Sequence, residues 1–397
     1  MTRVVITGAG VVSPIGSGLE DFFHGLHAAS RGVDHISSFD TAWFPSTLGA
    51  EAREQGTVFR SDHPDDRKSV FIRESMDELF RTGLVDRYAP SDRILHMGAG
   101  IDYFDFLGYV KQRTGCDWHR FSQRSYRVAS TLAEDFSIKG GHFVNVSACV
   151  ASTQAMGFSL RLLRNTHGKA VISGGFDSML SHLHYMGFYS LGALSEWKGE
   201  PSGACRPFDR NRCGLVIGEG AGVYLFEREE SAERETILCE VAGYGSTMDA
   251  YMVTDPEPTG RQLAQAALLA IHDAGITPDD IDTVDMHGTG TVKNAVAEAR
   301  AMELVFPERY REIPVFTLKG QIGHSIGACG AVEILGVIDM LKQQRVLPSV
   351  NCDDPDPEVP LHIVRGEPLP MRINHVLKLN AAFGGQNTAL VFRKYGQ

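Results

Sequence analysis

Asn145-Val146-Ser147-Ala148-Cys149 reads as a buried strand that hands a cysteine to the first turn of a helix. Val144 and Val146 belong to a β run, and beyond Cys149 the apolar residues Met156, Leu160 and Leu163 fall at helical spacing. A cysteine at that junction lies in the field of the helix dipole, which favours the thiolate. Ala148, Ala151 and Ser152 are small enough to let an acyl group approach it. A lone cysteine in this setting is more simply read as one more buried thiol. Two histidines change that balance. His287 closes the apolar run from Ile281 to Met286 and opens His287-Gly288-Thr289-Gly290-Thr291, whose hydroxyls and glycines leave room for an extended polar ligand. His324 lies in Lys319-Gly320-Gln321-Ile322-Gly323-His324-Ser325-Ile326-Gly327, ahead of a helix over 330–344. Neither histidine has a second cysteine or a carboxylate at ligand spacing, so the pattern fits a catalytic cluster around a Cys149 nucleophile better than a metal site.

Alternating strands and helices must bring these three sites together, which predicts α/β layers with a sheet in each half. Residues 1–235 hold a first strand, a long insert, the Cys149 unit and a strand around Ala170 to Ser173. Residues 236–397 again begin with a strand, Ile237 to Ala242, then a helix near 261–273, the His287 strand, the His324 unit and a last strand near Leu390 to Phe392. Cys149 and His324 thus hold similar places in two halves, the pattern of an old duplication. Between them, Glu227-Arg228-Glu229-Glu230-Ser231 and Glu233-Arg234-Glu235 read as a solvated connection without a function of their own.

The bulk properties narrow the function further. A chain of 397 residues, 43% hydrophobic, can bury a large core in one compact unit or two fused halves. Its net charge of −11 argues against nucleic acid, which is held mainly by clustered lysine and arginine. The cysteines, seven in all, lack paired short spacings and no targeting peptide precedes the first strand, so Cys116, Cys205, Cys213, Cys239, Cys329 and Cys352 are expected as free thiols in a reducing, cytoplasmic setting. The apolar helix around Ile334 to Leu341 contains Asp339 and follows Glu333, which makes it a core helix and not a membrane span.

Two other motifs carry less. Gly8-Ala9-Gly10 after a strand suggests a dinucleotide site, but Ser13 stands in place of the third glycine and Pro14 would disturb the helix that cradles a pyrophosphate. His182 and His184 hint at a metal, yet simple alternation on a strand or loop accounts for them. No cofactor is required by what remains.

Taken along the chain, these motifs resemble the elongating β-ketoacyl-acyl carrier protein synthases of the ketoacyl synthase I/II type, in the thiolase superfamily. The resemblance runs from Val4-Val5-Ile6-Thr7-Gly8-Ala9-Gly10-Val11-Val12-Ser13-Pro14-Ile15-Gly16 through Ala193-Leu194-Ser195, Arg206-Pro207-Phe208-Asp209, Gly218-Glu219-Gly220-Ala221-Gly222 and Gly330-Ala331-Val332-Glu333 to Phe383-Gly384-Gly385-Gln386-Asn387. A Cys-His-His set resembles the elongating enzymes, whereas initiating synthases use Cys-His-Asn and thiolases place a second cysteine where Phe383 stands. The resemblance implies a five-layer αβαβα fold with two pseudo-repeated halves and a decarboxylative Claisen condensation with malonyl-acyl carrier protein that adds two carbons. Cys149 would carry the acyl group, the N–H groups of Cys149 and Phe383 would form the oxyanion hole, and His287 and His324 would stabilise the enolate. Thr289 and Thr291 would line the phosphopantetheine channel, Lys319 and Glu333 would form a supporting ion pair, Glu298 would keep an acidic position behind the first histidine, and Phe383 would gate the pocket. Arg67, Lys68 and Arg206, with Arg210 and Arg212 nearby, lie where the family docks its acidic carrier protein.

Two departures stand out: Ala295 replaces the usual carboxylate eight residues after the first histidine, and Ala381-Ala382 replaces Phe-Gly ahead of the gating phenylalanine. They suggest a specialised synthase for a polyketide or polyene, working as a homodimer or as a heterodimer with a homologous chain-length factor. A non-condensing chain-length-factor-like subunit and a cysteine-dependent acyltransferase remain as alternatives.

Overall fold

The computed structural model of the chain describes residues 2–59, 67–104, 110 and 122–396, so Cys116 lies outside the described residues. In the first half the elements that matter are β1 (Val4–Ser13), α1 (Leu19–His27), α2 (Arg67–Arg81), β2 (Arg93–Ala99), α3 (Ser125–Asp135), β3 (His142–Val146), α4 (Ala151–Asn165), β4 (Ala170–Ser178), α5 (His182–Ser190) and β5 (Glu219–Arg228). The second half contributes β6 (Cys239–Met248), α6 (Arg261–Asp273), β7 (Thr283–Asp285), α7 (Val292–Val305), β8 (Pro314–Phe316), α8 (Lys319–Ile322), α9 (Cys329–Gln343), β9 (His362–Ile363), β10 (His375–Ala381) and β11 (Gln386–Arg393).

The strands run in the order β3-β2-β4-β5-β1-β6-β11-β10-β7-β8-β9. Within the first half, β3, β2 and β4 are parallel and β4, β5 and β1 antiparallel. The second half repeats the pattern with β8, β7 and β10 parallel and β10, β11 and β6 antiparallel. The same strand order and the same switch of direction, twice, is the signature of two pseudo-repeated halves. The expectation of a separate sheet in each half is corrected at one point: Val4, Val5 and Ile6 of β1 pair with Val241, Glu240 and Cys239 of β6, which joins the halves edge to edge.

Burial explains the layers. β1 and β5 are buried at every residue, as expected of strands covered on both faces. One outer core packs α2 and α3 on the first half, and another packs α6 and α7 on the second. The central core joins Met156, Leu160 and Leu163 of α4 to Ala331, Val332 and Leu335 of α9, with Val4 and Ile6 on one side and Val241 and Tyr244 on the other. Helix, sheet, helix, sheet and helix therefore make the five layers.

Three local expectations need correction. β3 is a sheet edge and not a buried strand, with Phe143 53% and Val146 51% exposed. His182 and His184 lie on the helix α5 and not on a strand or loop. The charged run is only partly a solvated link, because Glu227 and Arg228 finish β5 and are buried, with Glu227 accepting from Arg87 and Tyr88 at 2.6 Å each. Only the turns that follow, Glu229–Ser231 and Arg234–Thr236, have no buried residue.

Candidate active site

Cys149 occupies a short 3-10 turn, Ala148–Val150, that runs straight into α4. The strand-to-helix corner is tight: Ala148 takes φ 49, a left-handed conformation that costs an ordinary residue on the order of 1–3 kcal/mol. Gly98 on β2 and Gly175 on β4 let the helix start lie directly on the sheet, since a Cβ at either would meet Ala151 or Ser152 at 2.2 and 2.6 Å respectively. The second half repeats the device. Ile326 takes φ 46 and begins a 3-10 turn, Ile326–Ala328, that runs into α9. Superposing the two turns by their order puts Gly327, three residues beyond His324, opposite Cys149. Asp177 ties the second turn to the sheet, accepting from Gly100 N at 3.0 Å and Gly327 N at 2.9 Å.

One cleft is lined by Cys149, His287, His324, Thr289, Thr291 and Phe383 together. The two imidazoles meet edge to face with centroids 5.1 Å apart. The Ile326 N–H donates to His324 Nδ1 at 3.2 Å, so the neutral ring carries its proton on Nε2. His287 Nδ1 likewise faces donors, Asn380 Nδ2 at 3.3 Å and Lys319 Nζ at 3.5 Å. Burial, reinforced by the nearby lysine charges, holds both rings well below the ordinary histidine range. They are neutral donors at pH 7.

The backbone N–H groups of Phe383 and of Cys149 itself act on the Cys149 sulfur and favour its charged form. Against the helix dipole, burial pushes the thiol up to about 12, and Lys319 with the two N–H groups offsets only part of that. Phe383 lies on a loop pinned by Gly384 N to Val253 O and by Asp249 N to Gly385 O, both at 2.7 Å, with its ring 6.2 Å from that of Phe188. Thr289 and Thr291 share a 2.9 Å hydroxyl contact at the cleft wall.

The His287 loop is fixed from behind. Glu298 on α7 is fully buried and accepts from His287 N at 2.6 Å, Gly288 N at 2.9 Å and Asn294 Nδ2 at 2.7 Å. Lys319 and Glu333 form a fully buried ion pair. Sequence reading missed four polar residues behind the cleft: Asp177, Asp285, Lys378 and Asn380. The available signal was a charge or amide inside an otherwise apolar strand run. No group of three or more His, Cys, Asp or Glu side chains among the described residues could hold a metal.

The three basic residues assigned to carrier docking do not face outward. Arg67 is 3% exposed and paired with Glu219, which its Nε reaches at 3.0 Å. Lys68 is 2% exposed and donates to Ile101 O at 3.1 Å. Arg206 is engaged by Asp209 and by Asp353 at 2.9 Å, and stacks on Trp197 at 4.7 Å. Buried guanidinium and ammonium groups with internal partners cannot steer an acidic protein, so the docking assignment is withdrawn for all three.

Comparison with known proteins gives consistent matches. Residues 98–232 match the Beta-ketoacyl synthase N-terminal domain and residues 238–353 its C-terminal domain. The chain is 33% identical over 408 aligned positions to 3-oxoacyl-[acyl-carrier-protein] synthase 2 of Synechocystis, covering 99% of this chain and 98% of that protein. The synthase 2 of Staphylococcus aureus matches at 31% identity with the same coverage. Among solved structures, a chain from the complex of a type II polyketide acyl carrier protein with its ketosynthase bound to the hexaketide superposes with TM-score 0.89 at 25% identity, covering 100% of both chains. A β-ketoacyl synthase from Burkholderia phymatum follows at TM-score 0.86 and 29% identity, again with 100% coverage of both. A chain of the ishigamide ketosynthase/chain length factor gives 0.87 at 27% identity over 100% of both chains.

Proposed function

The chain belongs to the β-ketoacyl synthase family and is a condensing enzyme that elongates acyl chains by Claisen chemistry, and we propose that Cys149, His287 and His324 carry the reaction. The observation that supports this most is the shared cleft: nucleophile, two neutral imidazoles and two N–H groups aimed at the sulfur converge in one place.

In this reading the Cys149 sulfur attacks the thioester of an acyl-carrier protein, and the carrier thiol leaves with the proton. The N–H groups of Cys149 and Phe383 receive the oxyanion, where one such donor is worth about 3 kcal/mol. Malonyl-carrier protein then loses carbon dioxide. The enolate oxygen accepts from His287 and His324 Nε2–H, and the enolate carbon attacks the acyl-enzyme to extend the chain by two carbons and expel Cys149 as a thiolate, which takes up a proton from solvent. Phe383 gates the acyl pocket, Thr289 and Thr291 line the phosphopantetheine path, and Lys319, Glu333 and Glu298 hold the histidine loops.

The remaining parts of the reading rest on narrower support. The division at 1–235 and 236–397 is supported by the repeated strand order and by the exposed turns just before β6. Acyl carrier protein is the partner by kinship with the complexes above. A homodimer, or a heterodimer with a chain-length-factor homologue, is supported by the exposed apolar edge of β3. A cytoplasmic setting is supported by the free thiols of the six described cysteines; no described helix is long and apolar enough to cross a membrane.

Intact mass after incubation with acyl-carrier protein, then with malonyl-carrier protein, tests the assignment. Wild-type chain should gain the acyl mass and then release an elongated product, while Cys149→Ala gains nothing. Acylation of Cys149→Ala would refute the nucleophile. Acylation without carbon dioxide release would favour a simple acyltransferase, and a wild-type chain that never acylates would favour a chain-length-factor-like subunit.

A further inference from the structure

Behind the histidines, Asp285, Lys319, Glu333 and Lys378 are all fully buried. Glu333 lies between the lysines: one oxygen pairs with Lys319, and the other is 2.7 Å from Lys378 Nζ. Lys378 also reaches Asp285 Oδ2 at 3.2 Å and donates to Leu379 O at 3.2 Å. Asp285 and Lys378 face each other directly across the parallel pair β7 and β10. His287 follows Asp285 by two positions, and Phe383 follows Lys378 by five. The four charges balance, and they link β7, β10, α8 and α9 into one unit at the back of the cleft.

A Lys319–Glu333 pair is self-sufficient in charge, so the second pair adds desolvation cost that an apolar pair would avoid. Its geometry offers a return. Lys319 and Asn380 already bridge the Glu333 carboxylate to His287 Nδ1, and Lys378 adds the link that ties Asp285, at the end of the strand that delivers His287, to that same carboxylate. We propose that Lys378 is a positioning residue for His287: one ammonium holds Asp285 and Glu333 together, and so fixes the direction in which the His287 Nε2–H points. This rests on the reading of His287 as an enolate donor in the malonyl half-reaction. The titratable groups that feel Lys378 are Asp285 on β7, Glu333 on α9, Glu298 on α7, His287, His324 and the Cys329 thiol. Burial works to raise Asp285, and Lys378 is the largest opposing influence.

Lys378→Met alone leaves two buried carboxylates to one ammonium and is expected to fold poorly. The neutral double variant Asp285→Asn/Lys378→Met therefore carries the test, with the dimeric or heterodimeric enzyme as purified, acyl-carrier protein for the first half-reaction and malonyl-carrier protein for the second. Cys149 acylation, followed by intact mass, should stay within about twofold of wild type, while carbon dioxide release should fall about tenfold to a hundredfold, the range a donor displaced by up to about 1 Å would lose. The KM for malonyl-carrier protein should not change, and Asp285→Asn alone, which keeps Lys378 on Glu333, should lose less than the double variant. Wild-type release from the double variant would overturn the proposal, because Lys378 would then merely neutralise Asp285. An equal loss in both half-reactions would overturn it as well, by pointing to general distortion. A wild-type enzyme that acylates but releases no carbon dioxide would instead refute the role of His287 beneath it, and the proposal with it.

Discussion

Replacing His324 by alanine should separate the two half-reactions. The imidazole is 1% exposed, and its Nδ1 is committed to the Ile326 N–H at 3.2 Å, so the function at stake is the single Nε2–H donor. Burial and the lysines keep the ring neutral, so the loss is that of a hydrogen bond and not of a charge. One preorganised donor to a developing oxyanion is worth about 2.7–4 kcal/mol, which predicts carbon dioxide release from malonyl-carrier protein slower by on the order of 10²–10³. Acylation of Cys149 should survive, because the thioester oxyanion is met by N–H groups that the substitution does not touch. The variant also orphans the Ile326 N–H in a buried left-handed turn, at about 1–3 kcal/mol of stability, so rates must be read well below its lowered melting temperature. The rings of His287 and His324 are near enough to serve one oxygen, so the double alanine variant should lose less than the product of the single losses. The measurements are carbon dioxide release and intact-mass acylation on the same preparations. If acylation falls as far as decarboxylation in His324→Ala, the ring acts as the base for Cys149 and the division of labour argued here is wrong.

Three more outcomes follow from the geometry. With the thiol held up at about 12 by burial and both imidazoles held low, the acylation rate should rise about tenfold per pH unit between pH 6 and 9 while decarboxylation stays flat. An acylation profile already level at pH 7 would mean a thiolate. Arg67→Met should destabilise the fold by about 3–5 kcal/mol through the stranded Glu219 carboxylate, with little change in carrier-protein KM for whatever folds; a raised KM at wild-type stability would restore the docking assignment. Phe143→Asp on the exposed edge of β3 should convert a species of twice 43.4 kDa in native mass spectrometry to monomer, and an unchanged dimer would place the interface elsewhere.

Cys149 and His287 were legible because each ends a local strand-to-turn motif, and His324 because it follows α8 in a glycine-rich turn; in all three the glycines and small residues announce close packing. The residues behind them were not, and the reason is the layering. Lys378 and Asn380 alternate with Leu377 and Leu379 as they would on a half-exposed strand, but β10 belongs to a sheet covered by helices on both faces, so the polar positions turn into the protein. Arg67 and Lys68 failed for the same reason. Opening a helix, they look solvated, and the carboxylate that receives Arg67 lies 152 residues away, on a strand whose place beside α2 no local pattern encodes. The chemistry is written in short range, and its charge supports in long range.

The same distinction settles what Ala295 means for this site. In α7, Ala295 is 2% exposed and packs within the outer core of the second half, beside alanine and leucine side chains. A carboxylate there would have to be desolvated against an apolar wall, at a cost of several kcal/mol unless it gained a partner. What such a carboxylate could supply, a brace for the His287 loop, is already supplied one turn on. Glu298 takes the N–H groups of His287 and Gly288, and Asn294 fills the remaining acceptor position from the same helix. Both backbone donors are satisfied, so a second acid would find no unmet hydrogen bond to return its desolvation. The departure at Ala295 is therefore compatible with full condensing activity, and any specialisation of this enzyme has to be sought where substrate touches the chain, at Phe188, Phe383 and the pinned Ala381-Ala382 turn that sets their distance.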